Sequence, residues 1–474
     1  MKKTCLLTWL VLFVCLPALW GQNEVAARID QLLSGNLLVT SDVGISIYDL
    51  TDSVPLYVYR DQKMARPAST EKLITSITHL ARLGMDCRFA NSVAYTGSLD
   101  DDGVLHGDLY VHGGFDPEFM DNDMDELITQ LKRRGLRRVK GKVYGDVSFM
   151  DSLYYGAGWC WDDAPYDFQP MLSPLMFHKG YVEVTAVPGV GSAPAKISVV
   201  PASSYYTVDN RTVPYGAGGE EFNVDRDWMH GANRLIFTGD VSRITKKTIT
   251  VSGSAEFFMQ VFLERAREQK MMMKRFGGFK AMPPEATALA EQGHTTADVL
   301  HRALKVSDNL SAEALFYHLG AWQKGADSCH VSAADGVKAI KEFIKELGYD
   351  PDSYEVHDGC GVSLYDYVTP ELMLAYLKYA YQRPEIYKEI FDALPVAGVD
   401  GTLKNRMKRG RAFGNVRAKT GSVSGISTLA GYLHTANGHE VAFVIMNQNV
   451  MDAKKARTFQ DEICELLCSM KTLR

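Results

Sequence analysis

A serine and a lysine three residues apart, in Ser69-Thr70-Glu71-Lys72, are the first pair in this chain able to do chemistry together. On a helix that spacing puts both side chains on one face. A serine hydroxyl is a poor nucleophile at neutral pH until a base takes its proton. A lysine serves as that base when burial and a neighbouring positive charge lower its pKa. Two more strings follow in order, Ser307-Asp308-Asn309 and Lys419-Thr420-Gly421. Ser307 can relay a proton between Lys72 and a leaving group, and Asn309 can donate to and accept from a substrate amide. Lys419 is the expected positive neighbour, and with Thr420 it suits a substrate carboxylate. Gly421 lets a peptide backbone approach closely and pair as an added strand. The backbone N–H groups of Ser69, at a helix N-terminus, and of Ser422 can together hold an oxyanion. Each string alone has a bland reading. Ser69 could be a helix cap, Ser307-Asp308 a cap before Glu313, and Lys419–Gly421 a β-turn. All three in this order point to a serine acyl-enzyme.

The elements that must position these residues are legible in outline. Residues 44–59 read as strand, turn, strand, and Arg66-Pro67-Ala68 leads into a helix starting near Ser69. From about residue 90 to 253 short alternating runs are separated by Gly, Asp and Asn, with one helix near Asp123–Arg134. Helical spacing returns over Phe257–Gln269, Thr296–Lys305, Ala312–Gln323, Ala333–Leu347 and Pro370–Ala380. The chain then closes with strands over Asn415–Ala418, Thr428–Leu433 and Val441–Met446 and a helix over Asp452–Leu467, the Lys-Thr-Gly string ending the first of them. If the three strings share a site, the catalytic domain is discontinuous, residues 22–85 and 254–474. Residues 86–253 are then a β-rich insertion of one or two small domains, and the N-terminal hairpin joins the C-terminal strands in one sheet.

Composition narrows the setting. The 474 residues carry a formal net charge of −6, which argues against nucleic acid as a partner, because phosphate binding needs a basic surface. Met1-Lys2-Lys3 followed by an uncharged apolar run from Thr4 to Trp20 fits a secretory signal peptide over residues 1–21, and hence export to the periplasm. An uncleaved anchor is the competing reading, and no later stretch is apolar enough to span a membrane. Cys87, Cys160, Cys329, Cys360, Cys464 and Cys468 are scattered, which is no dense disulfide framework. Cys464 and Cys468, four apart on a helix, read as core. Without an HExxH, a CxxC pair or spaced histidines, neither a catalytic metal nor a cofactor is expected.

With these strings in hand, the chain resembles the D-alanyl-D-alanine carboxypeptidase/endopeptidase family of class C penicillin-binding proteins, peptidase family S13. The resemblance runs beyond the three motifs. It includes Gly107-Asp108-Leu109-Tyr110 with Gly113-Gly114-Phe115-Asp116-Pro117, Gly145-Asp146-Val147, and Gly158-Trp159-Cys160-Trp161-Asp162-Asp163. Downstream come Asp358-Gly359-Cys360-Gly361-Val362-Ser363 and the string from Leu394 to Leu403. The resemblance implies an α+β fold, the α/β sandwich of serine β-lactamases and penicillin-binding transpeptidases, with a β-rich inserted region. It implies Ser69 as acyl-ester nucleophile, Lys72 as proton acceptor, Ser307 as relay, and Asn309 and Lys419 as substrate contacts. Peptidoglycan stem peptides are then the substrate and β-lactams covalent inhibitors. Trp159, Asp162 and Asp163 match a family segment that binds the amino end of the stem's third residue; the bland reading is a structural turn.

The chain departs from the family in three places. Cys360 stands where serine is usual, Leu364 where a basic residue is frequent, and Met176-Phe177-His178-Lys179-Gly180 where an asparagine-containing string is expected. A serine β-lactamase would share the three motifs. It would also need a glutamate in an E-x-x-L-N setting, which none of Glu342, Glu346, Glu355 and Glu371 occupies. A catalytically dead wall-binding scaffold is the remaining alternative, set against a complete set of chemical residues.

Overall fold

The computed structural model describes residues 25–217, 220–273, 275–325 and 329–471. The expected signal segment, residues 1–21, lies outside the described residues. The described residues fall into two compact units, one formed by residues 25–81, 300–308 and 337–471 and the other by residues 82–299 and 309–336.

The first unit is built on a five-stranded antiparallel sheet in the order Arg417–Val423, Ile426–His434, Glu440–Gln448, Asp42–Asp49, Val54–Tyr59. The N-terminal hairpin therefore joins the C-terminal strands, as the sequence predicts. Alternation along the strands sorts residues onto two faces. Leu429, Leu433, Val441, Phe443 and Ile445 point into a core with Ile29 and with Phe459, Ile463, Cys464, Leu467 and Cys468 of the helix Ala453–Ser469. Cys464 and Cys468 are buried free thiols, which is the packing role their spacing suggests. The opposite face carries Tyr432, whose hydroxyl donates to the Leu377 carbonyl on the helix Pro370–Tyr381. Arg417, Lys419 and Gly421 pair with Tyr432, Ala430 and Thr428 and so share that second face.

The first C-terminal strand does not stop at Ala418 but runs to Val423, so Lys419-Thr420-Gly421 lies inside an edge strand rather than at its end. The turn falls at Ser424-Gly425, where Gly425 adopts φ +79, a left-handed conformation that glycine takes without steric cost.

Among the described residues the second unit holds two three-stranded sheets, one of four strands and one of five. Its core gathers Val111, Phe119, Leu127, Leu131, Phe177, Val184 and Phe237 with Phe257, Phe258 and Phe262 of the helix Ser254–Glu268. The strand Thr287–Thr295 pairs antiparallel with Arg88–Tyr95. This strand and the helix Ser254–Glu268 carry the compact unit past residue 253, where the sequence places the end of the inserted region. The helices expected at Asp123–Arg134 and Thr296–Lys305 are present as Asp121–Arg133 and Thr296–Lys305. That expected at Ala312–Gln323 begins earlier, as Asn309–Lys324, so the Asn of Ser-x-Asn opens it. Among the described residues no helix is long and apolar enough to cross a membrane.

Candidate active site

Ser69 sits in a single 3-10 turn, Ala68–Thr70, that runs straight into the helix Glu71–Leu83. The turn is held against the sheet from several directions. Gln448 brackets Arg66, accepting from its N–H at 3.1 Å and donating to its carbonyl at 3.0 Å. Thr428 and Thr70 both donate to the Pro67 carbonyl, at 2.8 and 2.7 Å. Ala68 adopts φ +46, a strained conformation for a residue with a Cβ. Gly361 lies hard against it: a Cβ on Gly361 would fall 1.9 Å from the Ala68 carbonyl oxygen. Such strain persists only where the surroundings over-determine the backbone, as they do here.

Lys72 is fully buried. Its Nζ lies 3.1 Å from Ser69 Oγ and donates to the Cys360 carbonyl at 2.7 Å. One proton is thus anchored on a fixed backbone acceptor while the amine faces the nucleophile. Lys419, also fully buried, donates to Ser307 Oγ at 2.8 Å and to the Thr420 carbonyl at 2.7 Å. Burial, and then the charge of Lys72, pushes its pKa well below the ordinary lysine value. The repulsion is mutual, so the two amines do not both hold a third proton easily. Ser307 itself adopts φ +64, in the short link between the helices Thr296–Lys305 and Asn309–Lys324.

Gly421 is where the edge strand meets the nucleophile. A Cβ there would lie 2.1 Å from Thr428 Oγ1, 2.7 Å from the Pro67 carbonyl and 3.0 Å from the Ser69 backbone nitrogen. Only glycine permits that approach, and Ser422, the next residue, is exposed. The Thr420 hydroxyl donates to Thr402 Oγ1 at 2.8 Å.

The described chain matches the model of the D-Ala-D-Ala carboxypeptidase 3 (S13) family over residues 25–470. This protein belongs to that family. A D-alanyl-D-alanine carboxypeptidase of Actinomadura sp. (strain R39) is 31% identical over 447 residues, covering 90% of this chain and 81% of the relative. D-alanyl-D-alanine carboxypeptidase DacB of Haemophilus influenzae is 26% identical over 418 residues, covering 85% of each chain. In fold, the crystal structure of penicillin-binding protein 4 from Haemophilus influenzae matches with a TM-score of 0.81 at 22% identity, over 93% of this chain and 99% of that one. The α+β fold observed is that of penicillin-binding protein 4, and the chain is a serine peptidase of the D-Ala-D-Ala carboxypeptidase class.

Family strings that carry no obvious chemistry turn out to brace the S13 motifs. Asp400, from the Leu394–Leu403 string, pairs with Lys305 at 3.1 Å, and Lys305 also donates to the Leu394 carbonyl. Lys305 closes the helix that leads to Ser307, and Thr402 holds Thr420, so this one string grips both the Ser-x-Asn and the Lys-Thr-Gly elements. A motif search by side chain misses these braces because none of them touches a reacting atom.

The departures from the S13 pattern also have a physical reading. Cys360 meets Lys72 through its carbonyl, so the exchange of hydroxyl for thiol leaves that contact untouched. In the second unit, the unusual His178-Lys179 pair adopts φ +50 and +55. The Lys179 ammonium is buried on Glu118 at 2.9 Å and on the Pro117 carbonyl at 3.0 Å. Ser311, on the helix that Asn309 opens, donates to the same carboxylate at 2.8 Å.

The remaining expected site residues lie in the second unit. Asn309 donates from Nδ2 to the Phe168 carbonyl at 2.7 Å, and Phe168 follows the tryptophan-acid segment by a few residues. In that segment Trp161–Asp163 forms a 3-10 turn. Trp159 is half-buried with its ring 6.5 Å from that of Tyr155, and Asp162 is exposed. Burial and the charge of Asp162 raise the pKa of Asp163.

Proposed function

We propose that this enzyme hydrolyses the terminal D-Ala-D-Ala bond of peptidoglycan stem peptides through an acyl-enzyme on Ser69. The observation that carries the reading is the buried pair of lysines, one 3.1 Å from Ser69 Oγ and the other 2.8 Å from Ser307 Oγ. Lys72, as a neutral amine, takes the hydroxyl proton while Ser69 Oγ attacks the penultimate carbonyl carbon. The negative oxygen of the tetrahedral intermediate is held by the Ser69 and Ser422 N–H groups. Collapse breaks the C–N bond, and the proton passes from Lys72 through Ser307 to the departing amine of D-alanine. Water then attacks the ester along the same proton path in reverse and frees Ser69.

Lys419 and Thr420 receive the terminal carboxylate, and the substrate backbone pairs along the edge of the strand Arg417–Val423 beyond Ala418, where the bridge to Val396 ends. Asn309 contacts the scissile amide, and Trp159, Asp162 and Asp163 contact the amino end of the third stem residue, roles that the family resemblance implies. β-Lactams acylate Ser69 in place of substrate, and the product ester persists because deacylation is slow. Export by the N-terminal segment brings the enzyme to its substrate in the periplasm.

Incubation with purified muropeptides, read by mass spectrometry, tests the reading. Loss of a terminal D-alanine residue is expected, and splitting of crosslinked dimers is scored separately. Muropeptides left intact by an enzyme that rapidly consumes penicillin would mark a β-lactamase instead.

A further inference from the structure

Asp358 is buried and folds residues 358–363 around its own carboxylate. It accepts from the backbone N–H groups of Cys360 at 3.1 Å, Gly361 at 2.6 Å and Ser363 at 2.7 Å, and from the Cys360 thiol at 3.5 Å. The loop made this way presents the Cys360 carbonyl to Lys72 and lays Gly361 on Ala68. The direction of the Lys72 amine therefore depends on how firmly Asp358 is held.

A second carboxyl group sits in the same interior. Asp366 is fully buried, and its Oδ1 accepts from the His357 backbone N–H at 2.7 Å. Among the described residues no donor reaches its Oδ2. A buried ionised oxygen without a donor is costly, and more so beside another carboxylate. Burial first, then the charges of Asp358 and Glu71, raises Asp366 well above the ordinary carboxylate range. Protonation turns the orphan oxygen into a donor, with Asp358 as its neighbour.

We propose that Asp366 is a positioning residue that stays a neutral acid, donates its proton in a hydrogen bond to Asp358, and thereby fixes the loop whose Cys360 carbonyl aims Lys72 at Ser69.

The inference rests on Ser69 being the acylated residue and Lys72 its base. It is tested by single-turnover acylation of the full-length enzyme with a fluorescent penicillin, comparing wild type, D366N and D366A. Asparagine offers an N–H donor where the acid offers O–H. D366N is therefore expected to acylate within about threefold of wild type, and D366A about 30-fold more slowly with unchanged non-covalent affinity. D366N as slow as D366A, or D366A as fast as wild type, overturns the proposal while leaving the Ser69 reading intact. Failure of wild type itself to acylate at Ser69 would instead remove the reading underneath. Should D366A not fold, an infrared difference spectrum of wild type minus D366N at neutral pH decides. A protonated-carboxyl carbonyl band is expected, and its absence overturns the proposal.

Discussion

The corner around Ser69 and the segment around Trp159–Asp163 are both expected from the sequence to meet substrate, and they are built in opposite ways. At the Ser69 corner every functional group is buried or backed by a buried one. The backbone is bent into left-handed conformations at Ala68 and Ser307, and it is pinned by Gln448, Thr428 and Gly361. The tryptophan-acid segment is a short exposed turn, with Trp161 packed on Trp228 at 5.2 Å and the Cys160 carbonyl accepting from Gln169 at 2.7 Å. Proton transfer demands positions fixed to a fraction of an ångström. Recognition of a flexible peptide's outer end tolerates looser construction, and exposed loops commonly carry it.

Substitutions should separate the two regions by size and kind of effect. Ser69→Ala is expected to lower D-Ala release by roughly 10⁴-fold or more while substrate still binds, measured as single-turnover release. Residual activity within a factor of ten of wild type would show that another residue is the nucleophile. Lys419→Ala should lower the acylation rate by about 10²- to 10³-fold, because it removes both a substrate contact and the hydrogen bond that holds Ser307 Oγ.

Gly421→Ala probes the close approach of the edge strand to the Ser69 nitrogen. It should cost about 1–3 kcal/mol of stability by denaturant melt, and acylation should fall further than that loss explains. In the second region, Asp162→Asn and Asp163→Asn should raise KM for peptides with a free amino end by about 3- to 30-fold and leave penicillin acylation unchanged. A fall in penicillin acylation would erase the contrast between the regions.

The smallest effect concerns pH. His294 in the second unit lies 2.9 Å from buried Asp116, whose hydrogen bond raises the imidazole to about 9. Its folded value lies above the ordinary 6.5. The stabilisation is therefore fully present below pH 6.5 and is lost as the pH rises through about 9. Thermal melts across that window should show a decline in wild type that His294→Gln lacks.

The sequence reveals the Ser69 corner better than what braces it. Side-chain motifs with fixed spacing pick out Ser69, Lys72, Ser307 and Lys419, and the fold sets Lys72 on Ser69 and Lys419 on Ser307. The Cys360 carbonyl is invisible to such a reading, since any residue supplies a carbonyl and only the fold says which one meets Lys72. The Lys-Thr-Gly strand reads as ending early because glycine and serine resemble a turn locally, whereas pairing with Ile426–His434 keeps it extended. Thr287–Thr295 lacks β-branched residues beyond its end threonines and reads as no strand at all. Its partner Arg88–Tyr95 lies far away in sequence, so tertiary pairing decides its state. The W-x-W-D-D segment is legible as a family string, yet its exposed turn alone does not tell a binding surface from a structural one.

Intact-protein mass spectrometry after incubation with penicillin, followed by peptide mapping, shows whether Ser69 forms the acyl-enzyme with Lys72 as its base. One adduct is expected, on the peptide bearing Ser69, absent from Ser69→Ala and slow to form in Lys72→Ala. An adduct on any other residue, or none on wild type, would contradict the account.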